Sequence, residues 1–249
     1  MKKIGIIGGL AWPSTVDYYR LLCKLANQRF RIAGEDPPFS TPPMVIESLN
    51  IKETRALRGM HGDEKSWESY DSKFRDAFVR LKHAGADFGM IASNTPHMRL
   101  HGIVRGLDLP VVSILEATSK AVASNGGSAA LVLGTPLTMR SPVYPQALQK
   151  QGISALPQVS DEEIAEIEQL IDVDLYQGVI DSARDRIVEI SRKHVRSPAT
   201  ELVCLACTEL PLAFPEQADS VYFRHNGIGF INTIAAHVEM LLDEAFFKG

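Results

Sequence analysis

Short apolar runs recur along this chain, separated by longer amphipathic stretches, and that alternation restricts it to a small group of folds. An uninterrupted apolar run suits a parallel strand buried on both faces, and the stretch after it suits the helix returning over the sheet. The runs are Lys3 to Ile7, Met44 to Ser48, Phe88 to Ala92, Val111 to Ile114, Ala129 to Leu133, a weak one near Ile153, and Leu202 to Ala206. The stretches between them carry helix starts. Ser14 with Asp17 reads as a variant capping box opening a helix to about Phe30, and Ser160 with Glu163 is a fuller one. Trp67, Tyr70, Phe74, Phe78 and Leu81 recur at spacings of three or four, a helical stripe turned to a core. The acidic stretch Asp161 to Glu168 reads as a solvated helix face.

The two halves echo one another. Lys3-Ile-Gly-Ile-Ile-Gly-Gly9 followed by Ser14-Thr15 parallels Ala129-Ala-Leu-Val-Leu-Gly-Thr135 followed by Thr138-Met139. Later in each half, an apolar strand ends in a small nucleophilic residue: Ser93 before Asn94, Thr95 and His97, and Cys207 before Thr208 and Glu209. This repeat predicts an α/β chain of two pseudo-symmetric domains, each a mostly parallel sheet flanked by helices. The expected division is residues 1–115 plus 216–249 for the first domain and 116–215 for the second. Ligands of open parallel sheets collect at the carboxyl ends of strands, so the expected active site is an interdomain cleft bordered by both tips and both glycine turns. If a helix begins at each tip, its free N–H groups and dipole favour an anion there and lower a thiol pKa.

Other chemistries fit less well. Gly5, Gly8 and Gly9 do not make the Gly-x-Gly-x-x-Gly spacing, and no Walker A pattern occurs. Ser14 and Thr15 still offer hydroxyl donors to a small anion, beside the plainer reading of a tight turn. The formal net charge of −4 argues against nucleic acid, and no run of 18 apolar residues suggests a membrane span. The Met-Lys-Lys start lacks a signal-peptide pattern, and three cysteines suit a reducing compartment, so the expected location is cytoplasmic. Cys204 and Cys207 make a Cys-x-x-Cys spacing with no second pair, which argues against zinc, and Cys23 falls inside the first helix as a core residue.

Ile4-Gly-Ile-Ile-Gly-Gly-Leu-Ala-Trp-Pro-Ser-Thr-Val-Asp-Tyr-Tyr19, Ala84-Gly-Ala-Asp-Phe88, Ser93-Asn-Thr-Pro-His97, Leu133-Gly-Thr135, Cys207-Thr-Glu-Leu-Pro211 and Asn232-Thr233 occur in that order. Together they resemble the aspartate/glutamate racemase family over nearly the whole chain. The resemblance implies homodimers and racemisation of a small amino acid or dicarboxylate without pyridoxal phosphate, metal or nucleotide. In that mechanism one cysteine thiolate removes the Cα proton and a second thiol returns one on the opposite face. Lacking an electron-sink cofactor, such a site needs positioned donors to the substrate carboxylate. Asn94, Thr95, Thr208, Thr135 and Thr138 are candidates, with Ser14, Thr15 and Glu209 beside them.

The chain departs from the family pattern at four positions. Ser93 stands where the first cysteine is expected, and a hydroxyl is a much poorer base than a thiol. Pro96 replaces a small residue, Ala206 replaces a glycine, and Ile180 stands where some aspartate racemases place a lysine. Cys207 is therefore the expected principal acid/base and Ser93 its weak partner, with His97 either polarising the Ser93 side or facing solvent. Two alternatives share the scaffold: a one-base isomerase or decarboxylase, and a catalytically impaired relative that binds carboxylates.

Overall fold

The computed structural model describes every residue except His61, Tyr176, Val179 and 247–249. The chain divides into two compact units, Met1–Ser113 with Val238–Gly249, and Ile114–His237.

The first unit holds a three-stranded parallel sheet of β1 (Ile4–Gly8), β2 (Met44–Ser48) and β3 (Phe88–Ile91) in the order β2-β1-β3. Around it run α1 (Trp12–Ile32), α2 (Ile51–Ala56), α3 (Glu68–His83) and the short α4 (Leu100–Ile103). The aromatic stripe packs as its spacing predicts: Trp67, Tyr70, Phe74, Phe78 and Leu81 are all buried in one cluster with Ile7 and Ile91. Trp67 meets Tyr70 edge-on at 5.4 Å. Burying each such ring stabilises the unit by about 2 kcal/mol, the transfer term for a large apolar side chain.

The second unit holds β4 (Ala129–Gly134), β5 (Ser154–Ala155), β6 (Glu201–Ala206), β7 (Tyr222–His225) and β8 (Ile228–Asn232) in the order β5-β4-β6-β8-β7. All pairs are parallel except β7 with β8. The helices are α5 (Ile114–Ser124), α6 (Pro136–Arg140), α7 (Val143–Gln149), α8 (Asp161–Gln169), α9 (Asp181–His194) and α10 (Thr233–Phe246), whose residues from Val238 belong to the first unit. The order β5-β4-β6 repeats β2-β1-β3, so the internal echo of the sequence is a repeat of strand order. Ser160 and Glu163 form the reciprocal capping box expected at the start of α8.

Three sequence expectations need correction, and one hairpin was missed. Residues 216–237 belong to the second unit, because β7 and β8 extend the sheet of β6. The run Val111 to Ile114 makes a single parallel bridge, Gly89 with Val111, and Ile114 opens α5. Ser14 does not cap α1, which starts at Trp12 with Ala11 as its N-cap and Pro13 in its first turn, where a missing N–H costs nothing. Finally, β7 and β8 were not expected. They form a hairpin across Asn226 and Gly227, both with positive φ (47° and 82°), the backbone of a primed two-residue turn.

Candidate active site

In the first unit, β1 and β3 are neighbouring parallel strands, so the segments after them emerge at one edge of the sheet. That edge gathers Ser14, Thr15, Ser93, Asn94 and Thr95. Thr15 is occupied with the turn: its Oγ1 accepts from the Gly9 N–H at 2.9 Å. A Cβ on Gly8 would stand 2.6 Å from the Thr15 side chain, so glycine there lets the helix close onto the strand end. Ser14 is buried in the first turn of α1. Thr15 thus has a structural duty at the turn.

Ser93 is half-buried, while Asn94 and Thr95 are buried behind it. A 3-10 turn comes next, Thr95–Arg99, with α4 after it. No long helix begins at this tip, so any anion there is met by individual amides and side chains rather than by a macrodipole. His97 corrects a further expectation. It is only 1% exposed, and its Nδ1–H donates 2.9 Å to the Ser93 carbonyl, not to the hydroxyl. Burial pushes its pKa down to about 4. His97 therefore stays neutral and fixes the backbone that presents Ser93.

In the second unit, Gly134 of β4 lies opposite Ala206 of β6, and the residues after them share one edge. Thr135 caps α6: its Oγ1 accepts from the Thr138 N–H at 3.3 Å and lies 3.0 Å from the Thr138 hydroxyl. Across from them stands Cys207, buried, whose thiol donates 2.9 Å to Glu209 Oε2. The Thr208 hydroxyl donates to the same oxygen at 3.0 Å. Burial raises the Cys207 pKa well above its ordinary value, and the Glu209 carboxylate raises it further. The expected lowering of the thiol pKa is overturned. Beyond Cys207 the chain enters a 3-10 turn, Leu210–Ala213, with no helix dipole to favour the thiolate, and a carboxylate within bonding distance favours the proton. Glu209, itself buried, accepts the thiol proton.

Cys204 lies inside β6, fully buried, its pKa pushed up to about 12 by burial alone. It is a core residue, and among the described residues no cluster of His, Cys, Asp and Glu is arranged to hold a metal. Cys23 is half-buried on α1, not the core residue expected, and all three cysteines are free. The end of β8 is structural: Asn232 Oδ1 accepts from the Ile234 and Ala235 N–H groups at 3.1 and 3.3 Å, and the Thr233 hydroxyl donates to the Leu205 carbonyl at 2.8 Å.

Sequence reasoning missed Tyr144. Its phenol is buried, its ionisation suppressed first by burial and then by the Cys204 and Cys207 sulfurs nearby, and it pairs with Thr118. Tyr144 also borders a cavity of about 210 Å³ beside Thr138, Arg140 and Leu156. That cavity reaches Thr138 but not the Cys207–Glu209 pair.

The chain is similar to several known proteins. The broad specificity amino-acid racemase RacX of Bacillus subtilis (strain 168) is 28% identical over 149 residues, which span 60% of this chain and 61% of RacX. The structure of an aspartate racemase homologue from Pyrococcus horikoshii is 29% identical with a TM-score of 0.77, covering 98% of this chain and 99% of that one. A putative Asp/Glu racemase from Yersinia pestis is 25% identical with a TM-score of 0.78, covering 99% of this chain and 100% of that one. Glutamate racemase from Campylobacter jejuni, 19% identical with a TM-score of 0.59 over 97% of this chain and 85% of that one, shares the fold. The family model itself matches across residues 7–241, nearly the whole chain, and the chain belongs to the Asp/Glu/hydantoin racemase family.

Proposed function

We propose that this chain racemises or epimerises amino acids of the aspartate/glutamate type, without pyridoxal phosphate, using Cys207 as principal acid/base and Ser93 as a weaker partner. The observation that carries the reading is the thiol of Cys207 donating to Glu209 at the carboxyl end of β6, in a chain of this family. A buried thiol held protonated is an acid at rest. To act as a base it first passes its proton to the Glu209 carboxylate; the thiolate then takes the substrate Cα proton, leaving a carbanion stabilised by donors to its carboxylate. Ser93 returns a proton to the other face from its hydroxyl, water reprotonates the Ser93 alkoxide, and the hydroxide left takes the proton held on Glu209, which restores the starting state. The opposite direction runs these steps in reverse: water gives Glu209 a proton and the hydroxide left takes the Ser93 hydroxyl proton, the Ser93 alkoxide takes the Cα proton, and Cys207 donates its thiol proton to the other face and is reprotonated by Glu209.

Aspartate, glutamate and less polar amino acids all fall within the proposed substrate range, since RacX is described as broad in specificity and Ile180 offers no cation to a side-chain carboxylate. Three free cysteines support a reducing, cytoplasmic location, and among the described residues no helix is long and apolar enough to cross a membrane. We also propose a homodimer. Trp12, Val16 and Tyr19 lie on one face of α1, 69%, 55% and 47% exposed, an apolar stripe suited to a second copy.

A second reading, a one-base isomerase or decarboxylase, draws support from the same asymmetry of tips, sulfur in one and oxygen in the other. Incubating the protein with L- and D-amino acids in deuterium oxide separates the two. Deuterium entry at Cα with inversion supports racemisation, and entry with retention supports a single base. No deuterium entry with any amino acid sinks both for these substrates.

A further inference from the structure

The 3-10 turn that carries Asn94 and Thr95 is only five residues long, and such turns have weak internal hydrogen bonds. Something outside the turn must therefore fix where its first residues stand. At its far end Arg99 is buried, and its guanidinium forks onto Asp71 of α3: Nε reaches Oδ1 at 3.1 Å and Nη2 reaches Oδ2 at 2.7 Å. Asp71 is equally buried. The third nitrogen donates to Glu64 at 2.8 Å, and the guanidinium lies 5.4 Å from the centre of the Trp67 ring.

The grip continues past the turn. Arg75, one helical turn after Asp71, donates to the Gly102 carbonyl at 2.5 Å and to the Ile103 carbonyl at 3.2 Å. Gly102 is required for this approach, since a Cβ there would come within 2.2 Å of Asp71 Oδ2. The same device recurs after Cys207. Arg184 of α9 donates 2.6 Å to the Ala213 carbonyl at the end of the turn Leu210–Ala213. Each turn after a reactive tip is thus tied at its end by an arginine.

We propose that Arg99, through its fork on Asp71, is a positioning residue that sets Asn94 and Thr95 for substrate binding and Ser93 for proton return; the catalytic part of this rests on the racemase reading. Burying a charge pair costs desolvation, and well-packed apolar residues often do as well for stability. The fork supplies what they do not, a fixed direction and distance.

The test uses Arg99→Lys, which keeps the charge but loses the fork, with Glu64→Gln as the exposed control. Amide hydrogen exchange across 94–103, thermal melting, and kcat and KM for Cα deuterium exchange are measured for each. Arg99→Lys is expected to speed amide exchange in 94–99 by at least tenfold while β1 and β3 keep their protection. Its kcat is expected to fall roughly 10- to 100-fold, the scale of an ångström's misplacement, with a smaller change in KM. Glu64→Gln should match wild type. Unchanged amide exchange in Arg99→Lys overturns the positioning role whatever the enzyme does. If the variant does not fold, Asp71→Asn, which keeps the shape of the acceptor, is put through the same measurements, and protection at 94–99 equal to wild type there overturns it as well. Wild type that exchanges no Cα hydrogen, together with local loosening in the variant, refutes the racemase reading and leaves the clamp standing.

Discussion

The Cys207 thiol and the Glu209 carboxylate face each other across 2.9 Å, with Thr208 donating to the same oxygen, so the proton on sulfur has a ready acceptor two residues along the chain. A carboxylate so placed has opposed effects: it raises the thiol pKa, yet offers a base to which the proton can go.

Replacing Glu209 separates those effects. In Glu209→Gln the carboxylate's push on the thiol disappears, so the Cys207 pKa falls and its alkylation by iodoacetamide at pH 8 speeds up, about tenfold for each unit recovered. Cα deuterium exchange should slow in the same variant, by roughly 10²-fold. Faster exchange alongside faster alkylation would show that Glu209 only restrains the thiol.

Ser93→Cys restores sulfur to the first tip. Inversion measured by optical rotation is expected to rise on the order of 10²-fold, the usual worth of a competent general acid or base, with melting temperature unchanged because Ser93 is only half-buried. An unaltered rate would mean that the tip is not a site of proton transfer.

His97 gives stability a dependence on pH. Its pKa is about 4 when folded and near 6.5 when exposed, so the unfolded chain binds the extra proton first. The His97 contribution is complete above about pH 6.5 and is lost as pH falls through about 4. His97→Gln, which keeps an N–H donor for the Ser93 carbonyl, should flatten the melting profile between pH 7 and 4 by a few degrees. A slope equal to wild type assigns the dependence to other groups.

Trp12→Glu and Tyr19→Glu put charge on the exposed face of α1. Sedimentation is expected to show a dimer for wild type and a monomer for each variant, with chemical stability of the monomer altered by no more than about 0.5 kcal/mol. A variant that remains dimeric moves the interface elsewhere.

Much of the fold was legible because buried parallel strands announce themselves as unbroken apolar runs. Leu202 to Ala206 and Phe88 to Ala92 lie where their composition puts them, and the Trp67 to Leu81 stripe is core. The hairpin of β7 and β8 escaped because Arg224 and His225 break the apolar pattern on an edge strand that needs only one buried face. Its signal was nevertheless present in Asn226-Gly227, the pair that best accepts two positive φ angles. At the tips, residue identity was readable but electrostatics was not. The same Cys-Thr-Glu string permits a helix that lowers a thiol pKa or a short turn that folds Glu209 back onto sulfur. The chain takes the turn, Leu210–Ala213, and its last carbonyl accepts from Arg184. Arg99 and Asp71 lie 28 residues apart, and no spacing rule connects them.

The two units are built from the chain in different ways. The second is one continuous stretch, Ile114–His237, whereas the first is closed by residues from Val238 onward. Phe246 covers Phe30 at 5.2 Å, Glu239 and Asp243 hold Arg29, and the Ala245 carbonyl accepts from the Lys2 N–H. On a ribosome, domains ordinarily finish in the order they emerge. Here the second unit has all its strands in hand before α10 is complete, while β1 and α1, already synthesised, wait with Phe30 uncovered. The part of the chain made first is the last to be finished, and nascent chains stalled shortly before Val238 should expose that surface to chaperones.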